Sequence, residues 1–149
     1  MLPAGAPNVD LFGVSGFTDG AIGNLSEAIQ SQEILFDHNG SLPAAGQQAV
    51  LDLVASDVRE LALVASKLRI MVHVALVGHS DAAGQGTFNL FLSVARAEAV
   101  RSLLKQRGVD PSLLTVRGAG PLEPRESEIS EAARSRNRRV SFTVEVGEL

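Results

Sequence analysis

Apolar residues recur along this chain with two different periods, and the switches between them mark out its elements. Val50, Val54, Val58 and Leu61 fall three and four apart, which predicts a helix from Pro43 to about Ser66 with one buried stripe. Pro43 suits the first turn of such a helix, where a missing backbone N–H costs nothing. Val72-His73-Val74-Ala75-Leu76-Val77 reads as a buried strand within Arg69 to Val77. A helix from Phe88 to Gln106 follows, with Gly108 as its stop. Glu33 to Phe36 and Leu113 to Arg117 are further short strands, and Ser127 to Arg136 is a third helix. The last strand, Arg139 to Val146, places Val140, Phe142, Val144 and Val146 on one face. The order is βαβαβαβ. Such alternation favours helices packed on a sheet that contains parallel pairs.

The opening segment fits this scheme less well. Met1 to Asn8 is rich in Pro, Gly and Ala and reads as a linker. Val9 to Val14 alternates loosely as a strand would, and a short helix is expected at Leu25 to Ser31 with Asn24 as its cap. Residues 1–32 are therefore read as an extension or the tail of a preceding domain, and 33–147 as the domain proper.

Composition narrows the function classes. A chain of 149 residues with 45% apolar content suits one domain with a real core. With no cysteine, neither a disulfide framework nor a thiolate metal site is available. No 18-residue apolar run spans a bilayer, and the start lacks the basic and apolar parts of a signal peptide. The formal charge of −4 argues against nucleic acid held by bulk attraction, so an anionic polymer must be gripped at a local site.

The candidate chemistry lies between Gly78 and Val100. Gly78-His79-Ser80-Asp81 ends the predicted second strand, and Ala82 to Gly86 is a turn of small residues. In the helix that follows, Asn89, Leu92 and Arg96 share one face, leaning back toward the strand end. Asp81 and Arg96 thus flank one expected pocket. Together they fit a ligand with an ammonium and a carboxylate, Asp81 accepting from the first and Arg96 forking onto the second. Asn89 and Asn39 add amide groups, and Leu92 an apolar wall. Each residue also has a plainer reading. Asp81 and Arg96 pair with each other, Asn89 caps its helix, Asn39 serves a turn, and Leu92 belongs to the core.

These motifs resemble the OmpA-like carboxyl-terminal domain, the module shared by OmpA porins, the Pal lipoprotein and the flagellar stator protein MotB. Phe36-Asp37-His38-Asn39 with Leu42-Pro43, Gly78-His79-Ser80-Asp81, Leu92-Ser93 to Arg96-Ala97 and Val100, Gly118-Ala119-Gly120 with Pro124, and Asn137-Arg138-Arg139-Val140 occur in the family's order. The resemblance covers roughly residues 33 to 146. It implies an α+β fold with helices on one face of a mixed four-stranded sheet; the segment between the first helix and second strand is longer here than is usual in the family, an insertion around Ala62 to Lys67 expected to extend the helix away from the ligand site. It also implies non-catalytic binding of peptidoglycan without a cofactor. Asp81 and Arg96 would hold the diaminopimelate end of the stem peptide, with Asn89, Asn39 and Leu92 lining the pocket. Ser80 keeps the hydroxyl of the family's commoner threonine. The family points to the periplasm and to a module excised from a larger envelope protein, with no membrane contact of its own. A homodimer is compatible with the sequence. The alternative is the same fold used as an interaction or oligomerisation scaffold without wall binding.

Other chemistries find less support. His38, His73 and His79 lack the i, i+4 pairing of a helical zinc site. No histidine is placed to activate Ser80 or Ser93, so nucleophilic catalysis is unsupported. Asp37 and Asp81 form a conceivable carboxylate pair for glycan hydrolysis, a third and weaker reading. Arg134, Arg136, Arg138 and Arg139 have no interleaved stacking aromatics, which argues against nucleic acid. Strand alternation sends Arg138 and Arg139 to opposite faces, so one of them, taken as Arg138, approaches the pocket. Removing Arg96 is expected to abolish binding and leave the fold intact.

Overall fold

The computed structural model describes residues 14–82, 86–125 and 130–148. The expected linker at Met1 to Asn8, the expected strand up to residue 13, the turn residues 83–85 and the expected helix start at 127–129 lie outside the described residues. The elements are α1 (Val14–Gln30), β1 (Glu33–Leu35), α2 (Gln48–Leu68), β2 (Ile70–His79), α3 (Gly86–Gln106), a 3-10 turn at Pro111–Leu113, β3 (Leu114–Gly120), α4 (Glu131–Asn137) and β4 (Arg139–Glu148).

The four strands form one mixed sheet in the order β1-β4-β2-β3. β2 and β3 run parallel, as a strand, crossover helix and strand must, whereas β4 inserts antiparallel between β1 and β2. Val72, Val74 and Leu76 of β2 with Val140 and Phe142 of β4 pack against Leu51, Val54, Val58 and Leu61 of α2 and Ala97, Val100 and Leu104 of α3. On the opposite parity Thr115, Arg117, Thr143 and Glu145 are exposed, while Val77, His79 and Arg139 are buried. The expected α+β architecture is the one observed, and the predicted stripe of α2 is buried save for a shift of one position, Leu51 lying deeper than Val50.

Three local expectations are corrected. The opening segment carries one long helix, so Asn24 lies inside α1 rather than capping a short one. Ile22 and Ile29, seven apart and thus on one helix face, are buried in the common core, and Gln30 accepts a hydrogen bond from the backbone N–H of Val144 at 2.7 Å. Through Ile22 and Ile29, α1 packs into the same core as the sheet and α2. Second, α2 starts at Gln48 rather than Pro43. Pro43 instead bridges to Phe36, the N–H of Ala44 donates to the carbonyl of Leu35 at 2.8 Å, and Gly46 takes a φ of 86°, which breaks helical progression. Third, β2 and β3 run on to His79 and Gly120. A Cβ on Gly78 would lie 1.7 Å from the carbonyl oxygen of Ser93, and one on Gly118 2.4 Å from Val94 Cγ2. These two glycines are paired across the sheet, and together they let α3 settle onto the strand ends.

At its far end α2 stops at Arg69, which adopts a left-handed φ of 58° before β2 begins. The stretch from Ala62 to Lys67 at the end of this helix thus lies at the opposite end of β2 from Asp81. A groove of about 260 Å³ opens there, lined by Ala62, Ala65, Ile70, Val72, His73 and Leu113 among others, and none of the expected site residues reaches it.

Candidate functional site

The polar centre of the molecule forms where the carboxyl end of β2, the first turns of α3, the segment after β1 and the start of β4 converge. Its scaffold is Ser93, fully buried on α3. The Ser93 hydroxyl donates to the carbonyl of Leu90 at 2.7 Å and accepts from the backbone N–H of Gly120 at 3.0 Å, tying α3 to the end of β3. Ser80 donates its backbone N–H to the carbonyl of Gly120 at 2.9 Å, which fixes the backbone that presents Asp81. Ser93 thus has a positioning role that its place beside Arg96 did not reveal from sequence. The spacing between the paired glycines and Ser93 was the available signal.

Arg96 is completely buried. Its guanidinium donates through Nε to the carbonyl of Gly40 at 2.8 Å, through Nη1 to His79 at 2.9 Å and through Nη2 to Asp37 at 3.0 Å. It also lies over the ring of Phe36, 5.3 Å from the centroid. Burial pulls its pKa down to about 10, with the Asp81 charge acting upward and Arg138 downward. Asp81 is thus within electrostatic reach. The guanidinium, however, is covered by the turn at residues 37–40. Arg96→Ala would strip three backbone carbonyls of their donor inside the protein, so it is expected to cost about 3–5 kcal/mol of stability as well as any binding.

Asp81 is 4% exposed. Its Oδ2 accepts from Arg138 Nη1 at 2.9 Å and lies 3.4 Å from His38 Nδ1. Arg138 also donates through Nη2 to Glu131 at 2.6 Å and through Nε to the carbonyl of Phe36 at 3.3 Å. Burial opposes the Arg138 charge, but the hydrogen bonds to Glu131 and Asp81 outweigh it and its pKa is raised. The same bond from Arg138, more than any other influence, holds Glu131 below the usual carboxylate range. Two arginines therefore grip the segment at residues 36–40 from either side, Arg138 at Phe36 and Arg96 at Asp37 and Gly40.

The remaining predicted residues divide. Asn89 and Leu92 are buried on the face of α3 that carries Arg96, and Asn89 lies within the helix rather than at its cap. Asn39 is exposed on the clamped turn with a φ of 58°, a backbone state that asparagine tolerates. Arg138 and Arg139 diverge as alternation requires. His38 was not among the predicted site residues. Its place in the turn gave no signal until the fold brought it to Asp81. Arg139 and His79 lie on the opposite face, where Arg139 Nη2 donates to the carbonyl of Glu123 at 3.2 Å and Nε approaches Glu33 at 3.4 Å. Asn137, fully buried, accepts from the backbone N–H of Arg125 at 2.8 Å and so ties Arg125 to the end of α4. Among the described residues no group of three or more His, Cys, Asp or Glu side chains is arranged to hold a metal ion.

The chain is 29% identical over 119 residues to "Outer membrane protein A" of Bordetella avium, covering 80% of this chain and 57% of that protein. It is 33% identical over 94 residues to "Peptidoglycan-binding protein ArfA" of Mycobacterium tuberculosis, covering 62% of this chain and 29% of that one. It thus spans little more than half, or less, of these curated relatives. Among solved structures, the fold is similar to the peptidoglycan-associated lipoprotein of Burkholderia pseudomallei, with a TM-score of 0.67, 25% identity and coverage of 76% of this chain and 90% of that one. The model of the OmpA family matches residues 42–138, a span from the turn after β1 to the arginine that holds Asp81, and the chain belongs to that family.

Proposed function

We propose that this domain binds peptidoglycan without cleaving it and anchors a larger protein of the cell envelope to the wall. Membership of the OmpA family supports this reading, as do relatives whose names state peptidoglycan binding or association. The observation that carries the site is the buried Asp81 carboxylate at the carboxyl end of β2, held by Arg138 within the field of Arg96. The ligand is the diaminopimelate end of a stem peptide. Its ammonium is received by Asp81 and its carboxylate by the guanidinium of Arg96 once the turn at residues 37–40 yields, while Asn89, Asn39, Leu92 and Arg138 complete the surroundings. The compartment that matches such a ligand is the periplasm.

Ion pairs at such a site are worth a few kcal/mol after desolvation, so affinity per site is roughly micromolar or weaker. The test is cosedimentation with sacculi, comparing diaminopimelate-containing with lysine-type walls and wild type with Asp81→Asn, each variant being checked for folding by circular dichroism. Retention of the wild type alone, and on the diaminopimelate wall alone, is expected. Undiminished retention of a folded Asp81→Asn variant would remove Asp81 from the site.

A second reading, an interaction scaffold, is favoured by the apolar row that α3 exposes at Phe88, Leu90, Phe91 and Val94. It predicts self-association in sedimentation velocity that persists when Asp81 is replaced and falls when Phe91→Ser is introduced.

A further inference from the structure

His38 stands apart from the other two histidines. His73 lies at the far end of β2 beside the α2 groove. His79 is buried, and burial foremost, then the Arg139 charge, pushes its pKa down to about 4. His38 sits instead at the mouth of the Asp81 site, with a side chain 56% exposed and Nδ1 3.4 Å from Asp81 Oδ2, the same oxygen that accepts from Arg138. Its position is imposed by the fold. The turn at residues 37–40 is closed by the hydrogen bond from the N–H of Gly40 to the carbonyl of Asp37 at 2.9 Å, and both of those residues' carbonyls are held by Arg96.

We infer that His38 is a further residue of this site and sets the pH range over which Asp81 accepts a ligand cation. The inference rests on the reading of Asp81 as an ammonium acceptor. A neutral imidazole beside Asp81 leaves the carboxylate to an incoming ammonium. An imidazolium donates to that carboxylate itself and repels the ammonium. Histidine is the side chain that changes between these states from about pH 5 to 8. Charged groups face it from several elements. Arg138 faces Asp81 from the start of β4 and is bound in turn to Glu131 of α4, held low by that bond. Arg96 faces the turn from α3 with a pKa of about 10, and Asp37 is the neighbour of His38 in its own turn. A unit charge about 5 Å from a bound ammonium weakens binding by about fourfold at the dielectric of water and by about a few hundredfold at the effective dielectric of about 20 near a protein surface.

The experiment titrates the domain with free meso-diaminopimelate at pH 8 and pH 5, at constant ionic strength, following amide shifts by NMR. The probe's own amines and carboxylates do not titrate between these values. Wild-type affinity is expected to fall at least severalfold from pH 8 to pH 5, and the affinity of His38→Gln, whatever its level, to be the same at both. An equal fall in His38→Gln overturns the role of His38 while leaving the Asp81 site standing. No shifts in either protein at pH 8 overturn the reading of Asp81 itself, and the inference with it.

Discussion

Arg138 and Arg139 are adjacent in sequence, equally cationic and both buried, yet they build opposite kinds of surroundings. Arg138 turns toward the helices and is satisfied at each nitrogen, by Asp81, Glu131 and the carbonyl of Phe36. Arg139 turns to the other face, where Nη2 reaches the carbonyl of Glu123 but Nε and Nη1 find no hydrogen-bond partner among the described atoms. The pKa of Arg138 is raised and that of Arg139 lowered, burial being the largest influence on Arg139 and the nearby Glu33 charge only partly offsetting it. His79 accompanies Arg139 on that face, its Nε2 hydrogen-bonded with Ser141 Oγ at 2.9 Å. The difference teaches that a buried charge becomes a site when its hydrogen bonds converge on another functional group. Without that convergence it is a fastening, and an inefficient one.

The comparison can be broken most forcefully at Gly78, whose missing side chain lets α3 bring Arg96 to the strand end. Gly78→Ala drives a Cβ into the backbone of Ser93 and is expected to cost more than about 4 kcal/mol, seen as a failure to fold or a collapse of the melting temperature. Next, Arg138→Met leaves Asp81 buried beside fewer donors and is expected to cost about 3 kcal/mol in chemical denaturation. The face that carries Arg139 and His79 is sharpened by pH. His79 is neutral in the folded protein down to about pH 4 but takes up a proton near 6.5 when unfolded, so the unfolded state binds more protons between those values. Stability should therefore decline as pH falls from 6.5 toward 4, by on the order of 1–3 kcal/mol, and His79→Gln should remove that part of the decline. The smallest effect is expected from Arg139→Met, which replaces a poorly satisfied charge by an apolar side chain of similar length. Its denaturation free energy should lie within about 1 kcal/mol of wild type. A loss as large as that of Arg138→Met would erase the distinction between the two faces.

The sequence by itself determined the order of strands and helices after residue 32, the buried stripe of α2, the stop at Gly108 and the divergence of Arg138 from Arg139. All of these follow from periods of 3.6 and 2 and from the conformational demands of single residues, which are local quantities. Asp81, Arg96, Asn89 and Leu92 were legible as neighbours for the same reason, since a strand end and one helix face were enough to place them. Only the tertiary structure decided that Arg96 is spent on the carbonyls of Asp37, His79 and Gly40, that Asp81 pairs with Arg138, and that His38 meets Asp81 across 43 positions of sequence. It also decided that α1 belongs to the core, because Ile22 and Ile29 have a buried face only once α2 and β4 provide it. Hydrogen-bond partners distant in the chain are chosen by which donors and acceptors the fold leaves together away from water, and no spacing along a strand or helix carries that choice.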